Sequence, residues 1–222
     1  PESLKAENRR AFDWRRANPI GALKALGRFP TVRSLADSYF ILMLSQTLLY
    51  STWVLYMGYR YGWSSGQVGL SLGLAGVMSA LVQAFFVRRI VPKIGDKRAA
   101  ILGFSLTIVA LIGYGLASRG WMIYAIIPLG ALGGITAPSL QSYLTKHVPP
   151  DEQGGVQGVF SGLSSLAGIP GPLIGTWSFG WAIGIADHPA WAGLPFFEGA
   201  LMVFLAALLA LRAFRLEPKS AG

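Results

Sequence analysis

Two carboxylates and three glutamines stand where polar chemistry is unusual. Asp37 and Glu198 each lie about one turn inside the end of a long apolar run. An ionisable group at membrane depth is a functional candidate by default, as a carrier of protons or ions. Arg33 precedes Asp37 by four residues, which puts both on one helix face. A structural ion pair therefore competes with proton coupling for Asp37. For Glu198 the competing reading is a headgroup-level carboxylate near a helix N-terminus. Gln46, Gln83 and Gln141 are neutral, and each both donates and accepts hydrogen bonds. That suits a bond between helices or contact with a polar ligand. Gln141 is favoured over the other two for ligand contact, because it follows Pro138 by one helical turn.

Other chemistries lack their residues. There is no cysteine, and the two histidines, His147 and His188, lie far apart, so neither a disulfide nor a metal cluster is expected. No hydrolytic constellation or Walker loop occurs, so the reading is not an enzyme, not an ATP-driven pump and without a cofactor.

The elements that must hold these groups are apolar. The 222 residues are 53% hydrophobic and 13% charged, against roughly 25% charged in soluble domains. A transmembrane helix needs about 20 mostly apolar residues. Six such runs occur, over about 35–58, 67–87, 99–117, 121–144, 156–184 and 194–213. They are too long and too little alternating for barrel strands. The expectation is an all-α integral membrane protein in a lipid bilayer. Its parts are a basic linker over 1–33, a six-helix bundle over 34–213 and a tail over 214–222.

The net charge of +9 would suit nucleic acid, but its distribution does not, so no nucleic-acid partner is expected. Of 19 lysines and arginines, only Arg60 and Arg119 fall on one side of the six runs. That asymmetry predicts both termini in the cytoplasm. Tyr59, Tyr61, Trp63, Trp121, Trp181 and Trp191 fall at the opposite interface, where aromatic rings anchor. Within the linker, Asn18 to Phe29 reads as either a short amphipathic surface helix, capped by Asn18 with Pro19 in its first turn, or a flexible segment. The opening "PESLKAENRR" has neither an initiator Met nor a signal core, and reads as part of something longer.

Glycine and proline punctuate the spans. Gly69 and Gly73, Gly130 and Gly134, Gly158 and Gly162, and Gly180 and Gly184 stand four apart, a spacing that predicts close helix packing. Pro128 and Pro138 interrupt the fourth span, and Pro170 and Pro172 the fifth. Each ring removes a backbone hydrogen bond and is expected to bend its helix. Interrupted spans point to a translocation pathway. Between them lies "GGITAPSLQSYLTKHVPPDEQGGVQG", a charged elbow whose Asp151 and Glu152 are expected to open the fifth helix.

These residues resemble the major facilitator superfamily, and within it drug/proton antiporters of the tetracycline-efflux type. "RRIVPKIGDKRAAILG" is similar to the family's cytoplasmic loop motif, here Arg88, Arg89, Gly95, Asp96, Lys97 and Arg98. "SRGWM" and the elbow through "QGGVQGVFSGLSSLAGIPGPLIG" resemble its ninth-to-tenth connection and its tenth and eleventh helices. The resemblance covers nearly the whole chain, as a C-terminal six-helix half in a bacterial cytoplasmic membrane. It implies an N-terminal half as partner, a central cavity between the halves, and a small-molecule substrate leaving as protons enter. The competing class is a non-transporting six-helix subunit of another membrane complex.

By the same resemblance the first, second, fourth and fifth spans face the cavity and the third and sixth lie outside. The implied cavity residues are Gln46, Thr47, Tyr50, Gln83, Ser139, Gln141, Ser161 and Ser165. The loop motif would latch helix ends, although topology alone also accounts for its positive charges. Tetracycline exporters carry an acidic residue in the ninth helix, and Thr107 stands at the matching position.

Overall fold

The computed structural model describes residues 30–149, 153–185 and 189–216. The linker helix expected over Asn18 to Phe29, and Asp151 and Glu152, lie outside them. Among the described residues nine α-helices follow in order: α1 (Pro30–Tyr61), α2 (Ser65–Leu81), α3 (Val91–Ile94), α4 (Asp96–Leu116), α5 (Gly120–Gly133), α6 (Thr136–Lys146), α7 (Gln153–Ala167), α8 (Pro170–Ile185) and α9 (Leu194–Arg215). A π-helical turn, Val82–Val87, extends α2, and a 3₁₀ turn, Pro189–Gly193, precedes α9. Six segments of the described residues are long and apolar enough to cross a membrane: Thr31–Tyr61, Ser65–Val87, Asp96–Leu116, Gly120–Lys146, Gln153–Gly184 and Trp191–Arg215. They coincide with the six apolar runs of the sequence.

The bundle is organised around α1, α4 and α9. α1 packs against α9, α8 and α7, and α4 packs against α9, α5 and α6. Small residues set these distances. Val203, Ala206, Ala210 and Ala213 of α9 are completely buried. Their size lets Ser34, Ser38 and Ser45 of α1 donate to the carbonyls of Leu209, Ala206 and Gly199 at 2.8, 2.7 and 3.0 Å. Lipid offers no hydrophobic drive for helices to associate, so such close approach and interhelical bonding hold the bundle together.

The glycines that make close contacts are not the expected ones. Gly69, Gly73, Gly158, Gly180 and Gly184 have open space where a Cβ would stand. Gly130, by contrast, meets another helix, against the Tyr114 hydroxyl. The tightest contacts with threonines of other helices fall at Gly103, Gly133 and Gly171. A Cβ on Gly103 would strike Thr136, one on Gly133 would strike Thr107, and one on Gly171 would strike Thr47. The first two interlock α4 with the α5–α6 junction. Thr107 Oγ1 donates to the Gly103 carbonyl at 2.9 Å, and Thr136 Oγ1 to the Gly133 carbonyl at 2.8 Å. Each hydroxyl is satisfied by its neighbouring backbone while its side chain fills the notch of the facing glycine.

The prolines also act differently from expectation. Pro128 lies inside α5 without ending it. The fourth span breaks at Gly134–Ile135, and Pro138 sits in the first turn of α6. The fifth breaks at Gly168–Ile169, and Pro170 and Pro172 fall in the first turn of α8. Proline is tolerated in a first turn because the N–H it lacks has no intrahelical partner there. The breaks therefore stand on the N-terminal side of the rings. Gly134 and Ile135 close theirs with tight bonds to the carbonyls of Ala131 and Leu132, at 2.9 and 3.3 Å.

Candidate functional site

A pocket opens where α2 stands away from α1. α2 leans on α5 and scarcely touches α1, which leaves a gap floored by α4. About 600 Å³ of space lies there, open mouth included. Gln46, Tyr50 and Trp53 of α1 face Ser79 of α2 across it, with Thr107 and Tyr114 of α4 behind. Tyr50 is 66% exposed and frames the mouth.

Its aromatic wall is rigid. Trp53 meets Tyr114 edge to face, with centroids 5.0 Å apart. The Trp53 Nε1 donates to Ser71 Oγ at 3.1 Å. Tyr56 Oη behind them donates to the Tyr114 carbonyl at 2.9 Å. Edge-to-face pairs add about 0.5–1.5 kcal/mol beyond their buried area, so the wall keeps its shape without a ligand.

Of the cavity residues implied by resemblance, this pocket brings together Gln46 and Tyr50. The others lie elsewhere. Thr47 is taken up by the fifth-span break: its hydroxyl donates to the Ala167 carbonyl at 3.0 Å, and the side chain seats Gly171. Gln83 is exposed in the π-helical turn, a device that often marks functional positions. Ser161 and Ser165 are exposed on α7. Ser139 is buried, and its hydroxyl has no hydrogen-bond partner among the described residues.

The pocket also uses residues that the sequence reading left out. Trp53, Ser79 and Tyr114 sit in apolar spans without a spacing that marks them. Thr107 lies on the third span, which the resemblance puts outside the cavity. Here it is buried, it lines the pocket, and it belongs to the interlock with Gly133.

Gln141 donates through Nε2 to Tyr39 Oη on α1 at 3.2 Å. This is the interhelical bond. Gln141→Ala is accordingly expected to lower stability by about 0.6 kcal/mol, and by no more than about 1.7, with ligand binding unchanged. Thermal unfolding and probe binding on one purified variant check this, and lost binding at unchanged stability would make Gln141 a ligand contact.

The two carboxylates have different surroundings. α1 starts at Pro30, so Asp37 stands about two turns inside the helix, and no ion pair joins it to Arg33 among the described residues. Its 32 residues span about 48 Å, against about 30 Å of hydrocarbon. Both groups thus fall near headgroup level, where each is exposed and water competes with pairing. Glu198 is half-buried, and its Oε2 is enclosed without a hydrogen-bond partner among the described residues.

The loop motif forms a joint between helix ends. Gly95 takes φ 84°, which only glycine adopts readily, and this turn sets Asp96 at the start of α4. Asp96 Oδ2 accepts from Lys146 Nζ, at the end of α6, at 2.6 Å. Lys97 Nζ lies 5.4 Å from the Tyr143 ring and 5.8 Å from the Phe214 ring, near the ends of α6 and α9. Lys146 is 65% exposed and the Asp96 side chain 9% exposed, so water screens the pair mainly from the lysine side. Arg89 stacks on Phe85 of its own segment, 5.5 Å from the centroid. Arg88 and Arg98 form no ion pair among the described residues.

The chain is similar to known proteins over nearly its full length. It is 36% identical to the tetracycline resistance protein, class C, of Escherichia coli over 211 residues, covering 95% of this chain and 52% of that protein. It is 33% identical to the class B protein of Escherichia coli over 87% of this chain and 47% of that one. The mouse hippocampus abundant transcript-like protein 1 is 27% identical over 95% of this chain and 45% of its own length. The chain thus spans about half the length of these curated relatives. The Major Facilitator Superfamily profile matches residues 35–222. With six membrane-crossing segments and a match over most of its length, this multi-pass membrane protein belongs to the Major Facilitator Superfamily of transporters.

Proposed function

We propose that this chain is the C-terminal six-helix half of a proton-coupled secondary transporter that exports a small, drug-like amphipathic molecule from a bacterial cytoplasm. The observation that carries this reading is a single six-helix bundle matching about half of tetracycline resistance proteins. The pocket beside α1 and the breaks at Gly134–Ile135 and Gly168–Ile169 support it. Interrupted spans let backbone line a pathway, and two short helices joined at a break move relative to each other more easily than one long helix. Alternation between inward and outward openings needs such joints. The Asp96–Lys146 and Lys97 contacts join the ends of α4, α6 and α9, and in this reading those ends form a cytoplasmic plate that moves as a unit.

The orientation within this reading has both termini in the cytoplasm, on the basic side. Single cysteines at Ser65 and Ser220, probed with an impermeant thiol reagent in intact cells, check it. Ser65 is expected to label and Ser220 to stay protected, and the reverse pattern would invert the topology.

Transport is tested in everted membrane vesicles containing the full-length protein, with tetracycline and the neutral drug chloramphenicol as probes. An inside-acid pH gradient is expected to drive saturable uptake of at least one probe, and nigericin to abolish it. Absence of saturable uptake of both probes, or uptake that ignores the gradient, counts against the reading.

A further inference from the structure

We infer that the pocket between α1, α2 and α4 is a subsite for an uncharged, planar aromatic group bearing a hydrogen-bonding substituent, and that it rejects cations of the same shape. This deepens the transporter reading by naming a substrate class and rests on it for the role of the ligand; the binding itself is measurable without transport.

The walls set the shape. Trp53 and Tyr114 form a fixed corner, and Leu49 and Ile127 complete an apolar slot. A flat ring gains most from such a surface, because each face meets packed atoms. Gly130 keeps the deep end open. A Cβ there would come within 2.9 Å of Tyr114 Oη.

The polar groups set the substituent. Trp53 Nε1 is committed to Ser71, and the Thr107 hydroxyl to the Gly103 carbonyl. The side chains of Gln46 and Ser79 and the Tyr114 hydroxyl have no partner among the described residues. Amide and hydroxyls offer both donors and acceptors. A ligand hydroxyl or carbonyl is therefore matched from either side.

Charge decides the selectivity. No Asp, Glu, Lys, Arg or His lines the pocket. Aromatic faces attract cations, but a buried ammonium also loses its hydration with no carboxylate to replace it. The second effect is the larger for a small, strongly hydrated ammonium. A neutral isostere gives up far less and keeps the same ring contacts.

The test uses two isosteric probes, 2-naphthylmethanol and 2-naphthylmethylammonium. They are titrated calorimetrically into the assembled protein in nanodiscs, with empty nanodiscs subtracted. The neutral probe is expected to bind at least tenfold more tightly, a difference of about 1.4 kcal/mol at 25 °C. Ala75→Trp, which fills the slot from α2, is expected to weaken the neutral probe at least tenfold. Should that variant fail to fold, Ser79→Leu at the mouth serves instead, with a several-fold loss expected. Equal or tighter binding of the cation overturns the inference. So does the absence of saturable binding, or unchanged binding in a folded filling variant. Selective binding without gradient-driven flux would refute the transporter reading and leave the subsite standing. Flux without selective binding would do the opposite.

Discussion

Gly133→Ala is expected to destabilise the bundle by about 1–3 kcal/mol, the range for overpacking a tight interior. The added methyl would strike Thr107 Oγ1 and lie 3.0 Å from the Thr107 amide nitrogen and 3.1 Å from its Cα. A side-chain hydroxyl can rotate away, but those two backbone atoms move only if α4 separates from the α5–α6 junction. Separation would also lift Thr136 from Gly103, the reciprocal half of the interlock. Thr107→Ala in the same chain should restore part of the loss, because it removes the hydroxyl and leaves the backbone contacts. Gly158→Ala is the control: nothing stands within 4 Å of a Cβ there, and alanine is the better helix former by about 1 kcal/mol. Chemical unfolding in mixed micelles measures all three. Equal stability of Gly133→Ala and the parent would show that the interlock is not a close contact.

The spans were legible because membrane length and hydropathy fix them. Each apolar run became a helical span, with ends shifted by a few residues, since end residues lie at headgroup level where composition is mixed. The breaks were legible only roughly. Pro138, Pro170 and Pro172 signalled them, but a proline read alone points to a bend around itself. In the structure the ring sits just inside the new helix, and the break falls on Gly134–Ile135 or Gly168–Ile169.

The glycines show what pattern cannot carry. A four-residue spacing puts two glycines on one face without saying what that face meets. Gly103 and Gly133 carry the α4 contact, and their partners, Thr136 and Thr107, lie about thirty residues away in sequence. The pairing exists only once α4 and the α5–α6 junction are docked. The pocket was partly legible for a similar reason. Gln46 and Tyr50 stood out as polar residues in an apolar run. Trp53 and Tyr114 look like ordinary span aromatics until the tilt of α2 away from α1 exposes them to a common space. The π-helical turn at Gln83 left no signal in the sequence, because its residues, Val82–Val87, are ordinary helix formers in lipid.

The chain on its own is expected to carry no flux. Its pocket has walls from α1, α2 and α4 but an open mouth, and the glycines of α2, α7 and α8 that point into open space offer backbone surface with nothing packed on it. Leu70 and Val77 of α2 and Leu173 and Trp177 of α8 are likewise exposed. In the proposed transporter, a second bundle covers such faces by the same close approach that holds this one together. A closed pathway with alternating openings needs both walls, and a single bundle supplies one. The measurement that tests the central claim most directly is pH-gradient-driven flux of tetracycline and chloramphenicol in proteoliposomes. These contain either residues 1–222 alone or the same residues reconstituted with the remaining part of the full-length protein. The account predicts saturable, nigericin-sensitive flux only when both parts are present. Saturable flux of either probe through the 222-residue chain alone would contradict it.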